Sequence, residues 1–92
     1  MAITSVSEFE AVIGQAIIKI GRVLDELGDD PALKQVRRDL RSMAAVAREP
    51  AELKALRDKL DAGSEVIRVK MKRHEDLHND MWDCLDFIDF RC

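Results

Sequence analysis

The residues of this chain best suited to chemistry lie in one segment, which reads Arg73-His74-Glu75-Asp76-Leu77-His78. It contains both histidines of the chain, four residues apart. On a helix this spacing puts two imidazoles on one face, where they could share a metal ion or transfer a proton. The arginine beside them adds a fixed positive charge of the kind that binds phosphate. The segment therefore indicates either a catalytic site or a metal site.

The pattern Arg73-His74-x-x-x-His78 resembles the active-site motif of the HEPN ribonucleases, an all-helical and often dimeric family that cleaves RNA without a metal ion. The resemblance covers six of the 92 residues. It implies that Arg73 contacts the scissile phosphate and that His78 is the general acid and base. It also implies that His74 is the polar residue that follows the arginine. On this interpretation the catalytic residues are Arg73 and His78.

Two metal-binding patterns overlap the same segment. His74-Glu75-x-x-His78 resembles the zincin metalloprotease signature, and Glu75-x-x-His78 has the spacing of di-iron carboxylate bundles. A zincin needs a third protein ligand and a strand that binds substrate, whereas a di-iron bundle needs a second matching helix. Because the sequence shows no strand pattern and no second Glu-x-x-His motif, we expect no metal and no cofactor.

The structural alternative places both histidines inside an apolar helix seam. Seven residues are spaced alternately by four and three, as in a coiled-coil stripe; they are Ile67, Met71, His74, His78, Met81, Leu85 and Ile88. Together with Trp82, which lies beside the seam, they are the predicted partner-binding residues. If Trp82 is exposed together with Phe87 and Phe90, the cluster marks a partner site, and if it is buried it is part of the core.

The elements that must position these residues are all helical. Helices are predicted over residues 6–27, 31–48, 50–62 and 65–90. The start signals are the capping box Ser5-Val-Ser-Glu8, the Asp30-Pro31 step and the Glu49-Pro50 step. Gly63 either ends the third helix or lies in one continuous helix. The expected fold is all-α, an antiparallel bundle of three or four helices with a long C-terminal helix, in a single domain over residues 1–92.

The predicted C-terminal helix would be roughly 39 Å long, more than its shorter neighbours can cover. Its first half is basic and its second half is acidic. An antiparallel homodimer through this helix would pair each basic half with the acidic half of its partner. The alternative is packing within the chain, with the basic second helix beside the acidic tail; that helix carries Lys34, Arg37, Arg38 and Arg41.

Composition limits the remaining classes of function. The net charge of −3 gives no general reason to bind nucleic acid, and no apolar stretch is long enough to span a membrane. No secretory signal is visible, and Cys84 and Cys92 are too far apart on a helix to form a disulfide, so a cytoplasmic location is expected. The favoured function is a non-enzymatic interaction or regulatory protein that forms a homo-oligomer through its C-terminal helix, with a further protein partner left open. The alternative is the HEPN-like ribonuclease.

Overall fold

The structure is a computed structural model that describes residues 3–91. Within this range the chain forms five helices and no strand, so the all-α prediction is confirmed. In chain order the helices are α1 (Val6–Leu27), α2 (Pro31–Ala45), α3 (Pro50–Ala55), α4 (Arg57–Lys70) and α5 (Glu75–Arg91).

The helix starts follow local chemistry. The Ser5 side chain accepts a hydrogen bond from the Glu8 N–H at 3.2 Å and so caps the first free donors of α1. Asp30 does the same for α2, accepting from two backbone N–H groups, with Pro31 in the first turn. Gly28 ends α1 with a φ of 85°, in the region that favours glycine. The predicted bounds of α1 and the predicted start of α2 are therefore confirmed.

Four helices form a ring in which α1 packs against α2, α2 against α4, α4 against α5, and α5 against α1, while α3 lies against α4 and α5. Neighbouring helices run antiparallel. The Phe9 and Phe87 rings stack at 5.0 Å and bring the start of α1 to the end of α5. Lys70 Nζ lies 2.9 Å from Asp30 Oδ2 and brings the end of α4 to the start of α2.

The core receives side chains from every helix. The largest fully buried side chains are Phe9, Ile13, Ile20, Leu33, Leu40, Met43, Leu53, Leu60, Ile67, Leu77, Met81 and Ile88. These occupy helix positions three, four or seven apart, as expected for amphipathic helices that share one core. Leu27, by contrast, is 73% exposed because it is the last residue of α1.

The predicted helix over residues 65–90 is wrong. The chain turns at residues 71–74, so α4 ends at Lys70 and α5 begins at Glu75. A continuous helix of roughly 39 Å would exceed the 35 Å longest dimension of the molecule. By turning, the chain packs α4 and α5 against each other. Gly63 lies inside α4, where a Cβ atom would come 3.3 Å from Val36 Cγ1, so the glycine allows α4 to approach α2 closely.

Two further bounds differ from prediction. The helix predicted over residues 31–48 ends at Ala45, and residues 46–48 form a turn that places Ala47 in the core. The helix predicted over residues 50–62 is divided at Leu56, between α3 and α4. Leu53 and Leu60, which lie on either side of that residue, are both buried in the core.

Candidate functional site

The turn between α4 and α5 positions the residues that were predicted to do chemistry. Met71 is buried, and Lys72 and Arg73 follow it in the exposed turn. The His74 N–H donates to the Met71 carbonyl at 2.9 Å, and the His74 carbonyl accepts the His78 N–H at 3.3 Å. The turn therefore holds His74 against the start of α5 and leaves Arg73 at the surface.

His78 is hydrogen-bonded to the only tryptophan of the chain. Trp82 Nε1 donates to His78 Nε2 at 3.0 Å, and the two rings meet edge to face with their centroids 6.0 Å apart. In this bond Nε2 is the acceptor, a role that an imidazole nitrogen takes only when it carries no proton. A general base needs a nitrogen directed at its substrate, and here Nε2 is occupied by the chain itself.

The two predicted catalytic residues line different cavities. Arg73 lines an open cleft of about 500 Å³, together with Leu27 and Val69. His78 lines a neighbouring cavity of about 330 Å³. Met71, Lys72 and His74 line both cavities. Phosphodiester cleavage needs the phosphate-binding and proton-transferring groups to meet at one bond, whereas Arg73 and His78 do not line the same cavity.

The described part of the chain offers no evident metal centre. Within residues 3–91, no group of three or more His, Cys, Asp or Glu side chains is arranged to hold a metal ion. Cys84 is a buried free thiol, and its burial, aided by the charges of Asp80 and Asp83, raises its pKa to about 12. A thiol that stays protonated is a poor nucleophile. Cys92, which was expected not to form a disulfide with Cys84, lies outside the described residues.

Most of the predicted seam lies inside the chain. Five of the eight predicted partner-binding side chains are buried in the core: Ile67, Met71, Met81, Leu85 and Ile88. The seam is covered by the chain's own helices because the chain folds back at residues 71–74. The overhang on which the antiparallel homodimer was predicted is therefore absent from the described helices. His74 and His78 are partly buried at the surface, and Trp82 is exposed.

The solvent side of α5 carries a row of residues four apart, which we name the α5 outer row: His78, Trp82, Asp86 and Phe90. Trp82 is 52% exposed and Phe90 is 88% exposed, whereas Phe87, predicted to cluster with them, is buried. Exposed large aromatic side chains on one helix face are typical of protein interaction sites. The criterion set in the sequence analysis is therefore met only in part, because Trp82 and Phe90 are exposed but Phe87 belongs to the core.

The acidic residues of α5 are only partly neutralised within the chain. Lys19 donates to Asp76 at 2.7 Å and Arg57 donates to Asp89 at 2.8 Å, and these hydrogen bonds lower the pKa of both carboxyls. Asp86 makes no ion pair with any residue in the described range. The paired acids therefore bind cations of α1 and α4. Packing of the basic stripe of α2 beside the acidic tail, the alternative considered from the sequence, does not provide these ion pairs.

A second exposed apolar surface lies at the turn, and the sequence did not single it out. Leu27 and Val69 are 73% and 54% exposed and line the open cleft that Arg73 also lines. Lys72 flanks the same cleft, and neither it nor Arg73 forms an ion pair with another residue of the described chain. We name this feature the turn-end cleft. Two features of the sequence could have indicated this surface. Leu27 directly precedes Gly28, and Val69 lies outside the main apolar stripe of α4.

Comparison with protein-family models, curated proteins and solved structures found no match for this chain. Across residues 3–91, no helix combines the length and apolar character needed to cross a membrane. Function is therefore inferred from the residues and their arrangement.

Proposed function

We propose that this chain is a non-enzymatic protein-protein interaction protein that assembles with further copies of itself through α5. The observation that carries the proposal is the exposure of Trp82 and Phe90 on the α5 outer row. Large aromatic side chains contribute a major share of binding free energy when a partner buries them. A cytoplasmic setting and a regulatory role belong to the same proposal, and the unpaired thiol of Cys84 is compatible with that setting.

Self-association is supported by the distribution of charge and apolar surface on the molecule. The α5 outer row is aromatic and acidic, whereas the turn-end cleft is aliphatic and basic. One chain thus carries two exposed apolar surfaces of opposite charge. A second copy is a partner of suitable chemistry because it offers both surfaces at once.

The ribonuclease alternative has narrower support. It is favoured by the cavity in which His74 and His78 meet the cations Arg68 and Lys72. It is opposed by the position of Arg73 in a different cavity and by the hydrogen bond that occupies His78 Nε2. The interaction function therefore has the stronger support.

The proposal is tested by light scattering across a concentration series. The wild-type chain is expected to exceed the monomer mass of 10.5 kDa as its concentration rises. Trp82→Ala and Phe90→Ala are expected to weaken this association by about tenfold or more, as loss of a buried aromatic contact implies. Ile18→Ala is the matched control because Ile18 is 50% exposed on α1. A wild-type chain that stays monomeric up to about 1 mM would contradict the proposal.

A further inference from the structure

The aromatic end of the α5 outer row and the turn-end cleft lie at opposite ends of the bundle. Phe90 lines a cavity with Ile3 and Thr4, which precede the start of α1. Leu27 is the last residue of α1 and lines the turn-end cleft. The 22 residues of α1 separate the two surfaces by roughly 33 Å. The two surfaces therefore cannot contact each other within one chain.

The two surfaces match in shape and polarity. The turn-end cleft is concave, has a volume of about 500 Å³, and has an apolar wall that includes Leu27 and Val69. The opposite end presents a Phe90 ring that is almost fully exposed. An exposed aromatic ring entering an aliphatic cleft is the arrangement by which interface anchors bury apolar area.

The charges around the two surfaces are also complementary. Lys72 and Arg73 flank the cleft and are free of ion pairs within residues 3–91, and although Glu26 also lines the cleft, cations are in the majority. Asp86 precedes Phe90 by one turn and is likewise unpaired within the described residues. Arg91, whose guanidinium stacks over the buried Phe87 ring at 5.4 Å, also lines the cavity beside Phe90, where the acids Asp83 and Asp86 outnumber it.

A symmetric contact between two α5 helices would have the opposite electrostatics. It would bring Asp86 of one copy towards the acidic face of the other, which also carries the exposed Glu75. Like charges placed across an interface cost free energy and reduce the rate of encounter. The charge pattern therefore favours a contact between two different surfaces.

From these relationships we propose that the α5 outer row of one copy, led by Phe90 and Asp86, docks into the turn-end cleft of the next copy. The inference rests on the proposed self-association and names the second surface that takes part in it. Such a contact is head-to-tail, so the dimer as a whole keeps one free row and one free cleft. Assembly then continues beyond the dimer as concentration rises.

Two variants that each remove one surface test the inference. Phe90→Gln removes the ring, and Leu27→Glu removes part of the apolar wall and adds a negative charge that repels Asp86. Both positions are more than 70% exposed, so the fold should tolerate the changes. Ile18→Ala is again the surface control. Each variant alone is expected to lose association by about tenfold or more.

Mixing the two variants gives the decisive result. The intact row of the Leu27→Glu chain fits the intact cleft of the Phe90→Gln chain, so the equimolar mixture is expected to form a dimer that grows no further. Wild-type assembly combined with a mixture that stays monomeric would overturn the head-to-tail contact while leaving self-association in place. Leu27→Glu assembling like wild type would overturn it too. A monomeric wild-type chain would instead overturn the proposed function itself.

Salt provides a second measurement with a definite sign. Because the docked surfaces carry opposite charges, raising the salt concentration from about 0.05 M to 0.5 M should weaken wild-type association. A contact between two acidic α5 faces would strengthen under the same change, because salt screens their repulsion. Strengthening with salt would therefore contradict the head-to-tail contact.

Discussion

Trp82 donates its indole N–H to His78, one helical turn earlier on the same face of α5. The bond lies at the surface, and it occupies one of the two ring nitrogens that His78 could use for proton transfer. It also restricts the orientation of a half-exposed tryptophan before any partner arrives. Restricting an anchor side chain in advance reduces the entropy lost on binding. This pair is therefore better suited to recognition than to proton transfer.

The first prediction concerns RNA. Because Arg73 and His78 line separate cavities, the chain is expected to leave single-stranded and hairpin RNA intact over hours in the absence of metal ions. Gel analysis of labelled RNA checks this, with Arg73→Ala, His78→Ala and Trp82→Ala prepared in parallel. Cleavage that both Arg73→Ala and His78→Ala abolish, and that Trp82→Ala retains, would establish the ribonuclease alternative.

A second prediction separates core from surface residues of α5. Ile88 is fully buried, so Ile88→Ala should reduce the free energy of unfolding by about 2–5 kcal/mol. Trp82→Ala removes a larger side chain but from the exposed face, and should cost no more than about 1 kcal/mol. Urea unfolding at low protein concentration measures both. Similar losses for the two variants would show that Trp82 belongs to the core.

A third prediction compares two helical glycines. At Gly14 a Cβ atom meets nothing within 4 Å, so Gly14→Ala should stabilise the chain by about 0.5–1 kcal/mol through helix propensity. At Gly63 the same atom lies 3.3 Å from Val36 Cγ1, so Gly63→Ala should stabilise the chain less than Gly14→Ala does. Gly63→Leu should lower the free energy of unfolding by about 1–3 kcal/mol or more through overpacking. Thermal unfolding of the three variants measures these effects. A Gly63→Leu chain as stable as the wild type would contradict the close approach of α4 to α2.

Gly63 also shows which parts of the fold could be predicted from the sequence and which could not. The α1 bounds and the start of α2 were predictable because caps, proline and glycine act locally on the backbone. Gly63 looks like a helix stop in sequence, yet it serves packing between helices. The true turn at residues 71–74 contains neither glycine nor proline. It exists because folding back buries Ile67 and Met81 together in one core, which is a tertiary effect.

The candidate site was predictable in part. The sequence identified Trp82 as a candidate partner-binding residue. The spacing of apolar residues could not decide whether its side chain is exposed or buried. The turn-end cleft was missed because Leu27 continues the apolar spacing of α1 without distinction from its buried neighbours. Leu27 is exposed because the ends of the neighbouring helices do not cover it. Surfaces formed where several helix ends meet depend on tertiary structure and have no periodic signature.

A fourth prediction concerns acid. A hydrogen bond from Lys70, together with the backbone N–H of Leu33, lowers the pKa of Asp30. The contribution of Asp30 to stability is therefore complete above its unfolded-state pKa, about 4, and is lost as pH falls through the lower folded-state value. Asp30→Asn keeps an acceptor without the titrating charge, so its stability should fall less steeply with acid. Urea unfolding between pH 2 and pH 6 compares the two slopes, and equal slopes would contradict the pairing.

The central claim is that the chain associates through the exposed face of α5, and Trp82 reports on that face directly because it is the only tryptophan. The measurement is Trp82 fluorescence with iodide quenching, recorded on the wild-type chain across the concentrations used for light scattering. We expect the emission to shift to shorter wavelength and the quenching constant to fall as the mass rises above 10.5 kDa. A rise in mass with unchanged Trp82 emission and quenching would place the contact elsewhere and contradict the account.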